Sequence, residues 1–280
     1  MIINPYLVQP SIPAFTGLLD TYSGASAAYS AARRLATSYT GSLIRVRRSS
    51  DNAEQDIGYN GSNVLDEAAL TTFVGAGNGF VTTWYDQSGN GNNETQTTAI
   101  NQPRIVNSGT VEKMNSLPSI YFNTTYFIRA NFMSSATSAT FFAFTAVDTD
   151  PPSWTNGGIL STLKQSSGAN HVPYSDGVIY EAFGTNSRKT VGNPTNSLAT
   201  PYLYAVKSVT NDYKVFINNS QFYSTNTNTV SFAHDIMIGS SDDGFNIYPY
   251  KGKISELIIY PSYPDKDGIS GNINTNYSIY

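Results

Sequence analysis

Hydrophobic positions in this chain come in short runs. From Phe80 onward they read FVTTWY (80–85), SIYF (119–122), FFAFTAV (141–147), GGILSTL (157–163), VIYEAF (178–183), YLYAVKSV (202–209), YKVFI (213–217), DIMIG (235–239) and KISELIIY (253–260). Clusters of Gly, Asn, Ser and Pro separate them. Runs this short, rich in β-branched and aromatic residues and bounded by turn formers, predict strands. Asn218-Asn219 lies between YKVFI and SQFYS, and Asn tolerates positive φ, so a tight hairpin is expected there. Many short strands with turns between them predict a mostly-β antiparallel sandwich.

Three segments carry helical spacing instead. Ala27, Ala28, Ala31 and Leu35 predict a helix over 25–38. Residues 66–75 predict a second, with Asp66 as N-cap and Gly75 as the stop. Ile269, Ile273 and Tyr277 stand four apart and predict a third over 265–277. Residues 1–20 carry Pro5, Pro10 and Pro13 among apolar side chains. Proline fixes φ and removes a donor, so an extended arm is expected. The division is therefore an arm at 1–21 and a sandwich at 22–280.

Composition narrows the function classes. Charged residues are 13% of the 280, the net charge is −4, and nucleic-acid binding by phosphate contacts is not expected. Aromatics are also 13%, too many for a disordered chain. The chain has no cysteine, which removes disulfides and thiol chemistry. No stretch reaches the ~20 apolar residues of a membrane span. The N-terminus lacks a basic leader and is broken by prolines, so the expectation is a cytoplasmic protein or one released inside a virus particle.

Candidate chemistry is sparse. In VTTWYDQSGNGNN (81–93), Asp86 and Asn90 sit in a polar loop that reads as a structural turn, with a calcium or sugar site as the alternative. Asp242 and Asp243 form a second acidic turn open to calcium or sugar. Trp154, in a Pro/Gly loop, and Asn246, Tyr248 and Tyr250, beside Asp242, have the stacking rings and amides that sugar sites use. Trp84 lies in an apolar strand and is the weaker choice. Arg45, Arg47 and Arg48 face Asp51, Glu54 and Asp56 downstream, which predicts ion pairing rather than a ligand site. His171 and His234 are far apart with no zinc signature around them.

The YDQSGNGNN segment and the upstream 26–58 block resemble the α-L-arabinofuranosidase B catalytic domain, a glycoside hydrolase with a concanavalin A-like sandwich (jelly roll). The string IRVRRSSDNAEQDIG with GFVTTWYDQSGNG is similar to bacteriophage virion proteins of tail or fibre, and the ending to sandwich domains of Bacteroidetes phages. The resemblance implies a retaining mechanism with two carboxylates. It places the acid at Asp242, in IGSSDDG, and offers Glu181 as nucleophile. The family's adjacent cysteine pair is absent. The expectation is therefore a non-catalytic virion protein (tail, head-fibre or decoration component), homo-oligomeric, docked to other virion proteins through residues 1–20 and turned toward host-surface glycan. An active arabinofuranosidase-like hydrolase and a free carbohydrate-binding module are the alternatives. No cofactor other than calcium is expected.

Overall fold

The computed structural model describes residues 14–162 and 169–280. Its centre is three long neighbouring strands, Tyr202–Val209, Ser138–Val147 and Lys251–Tyr260, paired antiparallel. They are buried on both faces, which explains why their sequences are continuous apolar runs rather than alternating ones. The pleat sends Phe141, Ala143, Tyr204, Val206 and Ile259 into one core. It sends Phe142, Phe144, Leu203, Ala205, Ile258 and Tyr260 into a second core on the opposite face.

The sheet continues outward on both sides. One wing is the Asp212–Ile217 and Ser220–Thr225 hairpin, whose Asn218 (φ 49°) and Asn219 (φ 64°) adopt the left-handed turn expected of them. The other runs through Ile120–Asn123, Arg104–Asn107, Gly79–Trp84, Ile44–Arg48 and Glu54–Ile57. A smaller layer holds Phe127–Arg129, Ile236–Ile238 and Leu160–Ser161, with two hairpins beside it: Ile179–Glu181 with Lys189–Gly192, and Ser240–Asp242 with Ile247–Pro249. The mostly-β antiparallel sandwich is as expected.

Two of the three expected helices form. Glu67–Val74 starts at Asp66, whose side chain accepts from the Ala69 amide. Lys266–Tyr277 is capped in the same way by Asp265, and it lays Ile269, Ile273 and Tyr277 on the second core. The helix expected over 25–38 does not form. Ala27–Ser30 is a strand paired with Glu256–Ile259 of the long strand, and 31–38 is loop. The small alanines suit the narrow space beside that strand. A ladder of hydrogen bonds along a buried neighbour outweighs the alanines' intrinsic preference for helix, which is only a few tenths of a kcal/mol per residue.

The segment is then pinned by Arg33. Its guanidinium reaches Glu256 through two nitrogens, each at 2.8 Å, and Tyr277 donates to the same carboxylate at 3.0 Å. The expected arm at 1–21 is described only from residue 14. Residues 1–13, including Pro5, Pro10 and Pro13, lie outside the described residues. Leu18–Thr21 is one helical turn, not extended chain, and Leu18 and Leu19 are buried against the second core.

Candidate functional site

The hairpins of the smaller layer and the loops beside them enclose a cleft of about 320 Å3. Its lining includes His171, Tyr174, Tyr180, Arg188, Asp243 and Tyr248. His171 is its floor. The imidazole sits 4.9 Å from the Tyr174 ring, 5.2 Å from Tyr248 and 6.3 Å from Tyr180, centroid to centroid. Burial holds His171 below the usual histidine range, so it is neutral at pH 7, and Nδ1 meets the Asn156 carbonyl at 2.6 Å.

Each wall carries a tyrosine bonded to an aspartate. Tyr248 donates to Asp243 Oδ2 at 2.8 Å, and Tyr180 donates to Asp176 Oδ2 at 3.0 Å. Asp243 Oδ1 also accepts the amides of Phe245 (2.8 Å) and Asn246 (2.7 Å). Those donors hold its pKa below the ordinary carboxylate value, so Asp243 is ionised. Asp176 Oδ1 accepts the Val178 amide at 2.8 Å.

The expected site residues are brought together only in part. Tyr248 lines the cleft, and Asn246 is exposed at its rim, 3.4 Å from the Tyr248 hydroxyl. Of the acidic pair, Asp243 presents its carboxylate there, while Asp242 spends one oxygen on the Gly244 amide at 2.6 Å. Tyr250 was expected to contact sugar but is fully buried, its hydroxyl 2.8 Å from Thr145 Oγ1. Tyr250 lies past the end of the Ile247–Pro249 strand, so the outward position of Tyr248 does not carry over to it. Trp154 is half-buried beside the cleft residue Thr155, with Lys251 Nζ 4.2 Å from its ring centroid.

Glu181 faces inward. It is 1% exposed, and it accepts from the amides of Ala182 and Phe183 and from the Tyr204 hydroxyl. Burial raises its pKa to about 7. It is separated from the cleft by its own strand, whose Tyr180 takes the outward position. Sequence reasoning misses Tyr174, Tyr180 and Arg188. The one available signal was alternation: with Ile179 and Glu181 inward, Tyr180 has to point out.

The Asp86 loop lies elsewhere and is structural. Asp86 Oδ1 accepts the amides of Ala28 and Ser88, and Oδ2 accepts the Asn92 amide and the Ser88 hydroxyl, all at 2.8–2.9 Å. Asn90 donates to the carbonyls of Ala25 and Ser26. Among the described residues, no group of three or more His, Asp or Glu side chains stands ready to hold a metal. The arginine cluster is paired as expected: Arg45 with Glu54 and Asp56, Arg48 with Asp51. Arg47 instead bonds Gln102 and Asn52.

Comparison with known proteins points in one direction. The family model for the catalytic domain of α-L-arabinofuranosidase B matches residues 20–121. An α-L-arabinofuranosidase of Hypocrea jecorina is 40% identical over 84 residues, which is 29% of this chain and 17% of that protein. A probable α-L-arabinofuranosidase B of Aspergillus fumigatus is 40% identical over 85 residues, again 29% and 17%. The matched stretch is thus about a sixth of the length of these relatives, and the residues matched by the family model end before those that line the cleft. In three dimensions the likeness is wider. An arabinofuranosidase complexed with arabinofuranosyl-α-1,2-xylobiose superposes with a TM-score of 0.63 at 20% identity, covering 89% of this chain and 62% of that one. An α-L-arabinofuranosidase soaked with a cyclic sulfate inhibitor gives the same score and coverage at 18% identity.

The chain is therefore a β-sandwich that is similar to arabinofuranosidases, in sequence over residues 20–121 and in fold over most of its length. These likenesses overturn the expectation of a non-catalytic bacteriophage virion protein, and with it the virion localisation: the proteins matched are fungal arabinofuranosidases, not tail, fibre or decoration proteins. The YDQSGNGN motif builds the Asp86 loop. That loop organises the sandwich and places no side chain in the cleft, so by itself it carries no information about catalysis.

Proposed function

We propose that this domain is an arabinofuranosidase-type glycoside hydrolase whose sugar site is the cleft over His171. The observation that carries the reading is the pair of Tyr–Asp couples, Tyr248–Asp243 and Tyr180–Asp176: both rings and Asp243 line the cleft with His171, and Asp176 stands exposed on the Tyr180 hydroxyl. Glycoside hydrolysis needs two carboxyl groups flanking the scissile bond and a site that stabilises developing positive charge on the ring. Asp243, held ionised by two amides and a phenol, supplies that charge stabilisation. Asp176 is the second carboxyl group, oriented by the Tyr180 hydroxyl. The tyrosine rings offer apolar faces to sugar C–H groups, and neutral His171 offers a ring nitrogen to a sugar hydroxyl. In this assignment the acidic role falls on Asp243 and Asp176, in place of Asp242 and Glu181. Sequence likeness in the 20–121 region and the shared sandwich support the substrate class.

The test is release of 4-nitrophenol from 4-nitrophenyl α-L-arabinofuranoside. Asp243→Asn and Asp176→Asn should each lower kcat by ~100-fold or more. Unchanged turnover in both variants refutes the carboxylate assignment. No release by the wild type, with arabinoside binding retained, refutes hydrolysis.

A further inference from the structure

We infer that the cleft takes a glycan bearing an anionic substituent, a carboxylate or sulfate, and that Arg188 reads it. This deepens the proposed function and rests on it. Four other arginines are committed to carboxylates, Arg33 to Glu256, Arg45 to Glu54 and Asp56, Arg48 to Asp51 and Arg104 to Glu112, while Arg34, Arg47 and Arg129 each spend two or more hydrogen bonds on amide or carbonyl oxygens. Arg188 differs. Among the described residues its polar contact is one hydrogen bond, from Nη1 to the Ala169 carbonyl at 3.1 Å, and no carboxylate lies within ion-pair distance. Its guanidinium lies over the Tyr180 ring, 4.7 Å from the centroid, at the wall of the cleft.

Stacking on an aromatic ring fixes the plane of the guanidinium, and with Nη1 on the Ala169 carbonyl the Nε–Nη2 edge has no partner among the described residues. That edge is a fork of parallel N–H donors, matched to the two oxygens of a carboxylate or sulfate. The two acidic groups nearby are already engaged: Asp243 by Tyr248 and two amides, Asp176 by Tyr180 and the Val178 amide. Neither neutralises Arg188, and neutral His171 adds no competing charge. A sugar packed on the Tyr180 side of the cleft would set a substituent beside the fork. A purely neutral arabinoside leaves it unused.

The experiment measures binding of the full chain to four ligands by titration calorimetry. They are a neutral arabinosylated xylo-oligosaccharide, the same backbone carrying a glucuronosyl branch, that branch with its carboxyl reduced to the alcohol, and the reduced form carrying a sulfate ester. The uronate or the sulfate should bind about tenfold tighter than the reduced form, and whichever does so identifies the anion. The preference should shrink in ~0.5 M salt. Arg188→Gln should bring the acid-to-reduced ratio to about one, and Arg188→Lys should retain part of it. Equal affinity of wild type for the anionic and reduced ligands overturns this inference; if 4-nitrophenyl α-L-arabinofuranoside is still hydrolysed, the hydrolase reading stands without it. No binding of any ligand and no hydrolysis overturns both.

Discussion

Asp86→Asn is the sharpest test of how the family-like segment works, because the substitution keeps shape and removes charge. Asp86 is 4% exposed and takes four hydrogen bonds, two on each oxygen. Asparagine preserves the oxygen that meets the amides of Ala28 and Ser88. Its amide nitrogen then faces the Asn92 N–H, donor against donor, and the Ser88 hydroxyl must turn to accept. One charge-assisted bond is lost outright and the others weaken. At roughly 1.5–3 kcal/mol for a hydrogen bond to a charged group, the cost is about 3 kcal/mol. For a chain of this size that lowers Tm by roughly 6–12 °C. Loosening should begin at Ala28, since the loop ties the Ala27–Ser30 strand to the sheet, so hydrogen exchange at the Ala28 amide should accelerate before exchange in the Ser138–Val147 strand. Calorimetry in calcium and in chelator completes the assay. Because each Asp86 oxygen already holds two donors, calcium should leave Tm unchanged. A shift of less than about 1–2 °C in the variant, or a calcium-dependent rise in wild-type Tm abolished by Asp86→Asn, refutes the donor-filled loop.

Other consequences are equally direct. Glu256→Ala should cost about 3–5 kcal/mol in urea denaturation, because it strands the Arg33 guanidinium between strand and helix. Burial lifts Glu181 to about 7 and Glu94 to about 8 from an ordinary 4.5. The folded state therefore binds protons that the unfolded chain releases, and stability falls as pH rises from about 4.5 toward 8. Each group accounts for roughly 3–5 kcal/mol of that fall at most, and Glu181→Gln should flatten the part that ends near pH 7, read as ΔG of unfolding against pH. Tyr248→Ala should weaken arabinoside binding about tenfold, at the ~1–1.5 kcal/mol worth of a ring contact and its hydrogen bond, whereas Tyr250→Phe should cost about 1 kcal/mol of stability and leave affinity unchanged.

How much was legible depended on whether a residue's fate was decided locally. The long strands were readable because burial on both faces leaves no polar position in FFAFTAV or ELIIY beyond those the sheet can satisfy. The Asn218-Asn219 turn was readable because few residues tolerate its φ. The helix after Asp66 was readable because that cap acts on an amide three residues away, and the last helix because Ile269, Ile273 and Tyr277 share the face laid on the second core. The segment at 25–38 was not. Its partner is the Glu256–Ile259 stretch, more than 200 residues along the chain, and nothing within SGASAAYSAARRLATS records that partner.

The cleft was illegible for a related reason, and the abundance of tyrosine made it harder to see. Twenty tyrosines suggest sugar stacking, yet Tyr29, Tyr204, Tyr213, Tyr250, Tyr260 and Tyr277 are core residues. The ring count therefore carries no information about a site until burial sorts the rings. What distinguishes Tyr180 and Tyr248 is that each hydroxyl meets an aspartate from a neighbouring turn, at i−4 and i−5. Such a spacing is readable in principle: a tyrosine on a short strand, an aspartate in the turn before it, and a glycine between them to close the turn. SDGVIY and DGFNIY both have that form, at 175–180 and 243–248. The same local device, used twice, builds the two walls of one cleft, and it ties the phenols and carboxylates to hairpin geometry rather than to the long-range packing that hid the rest.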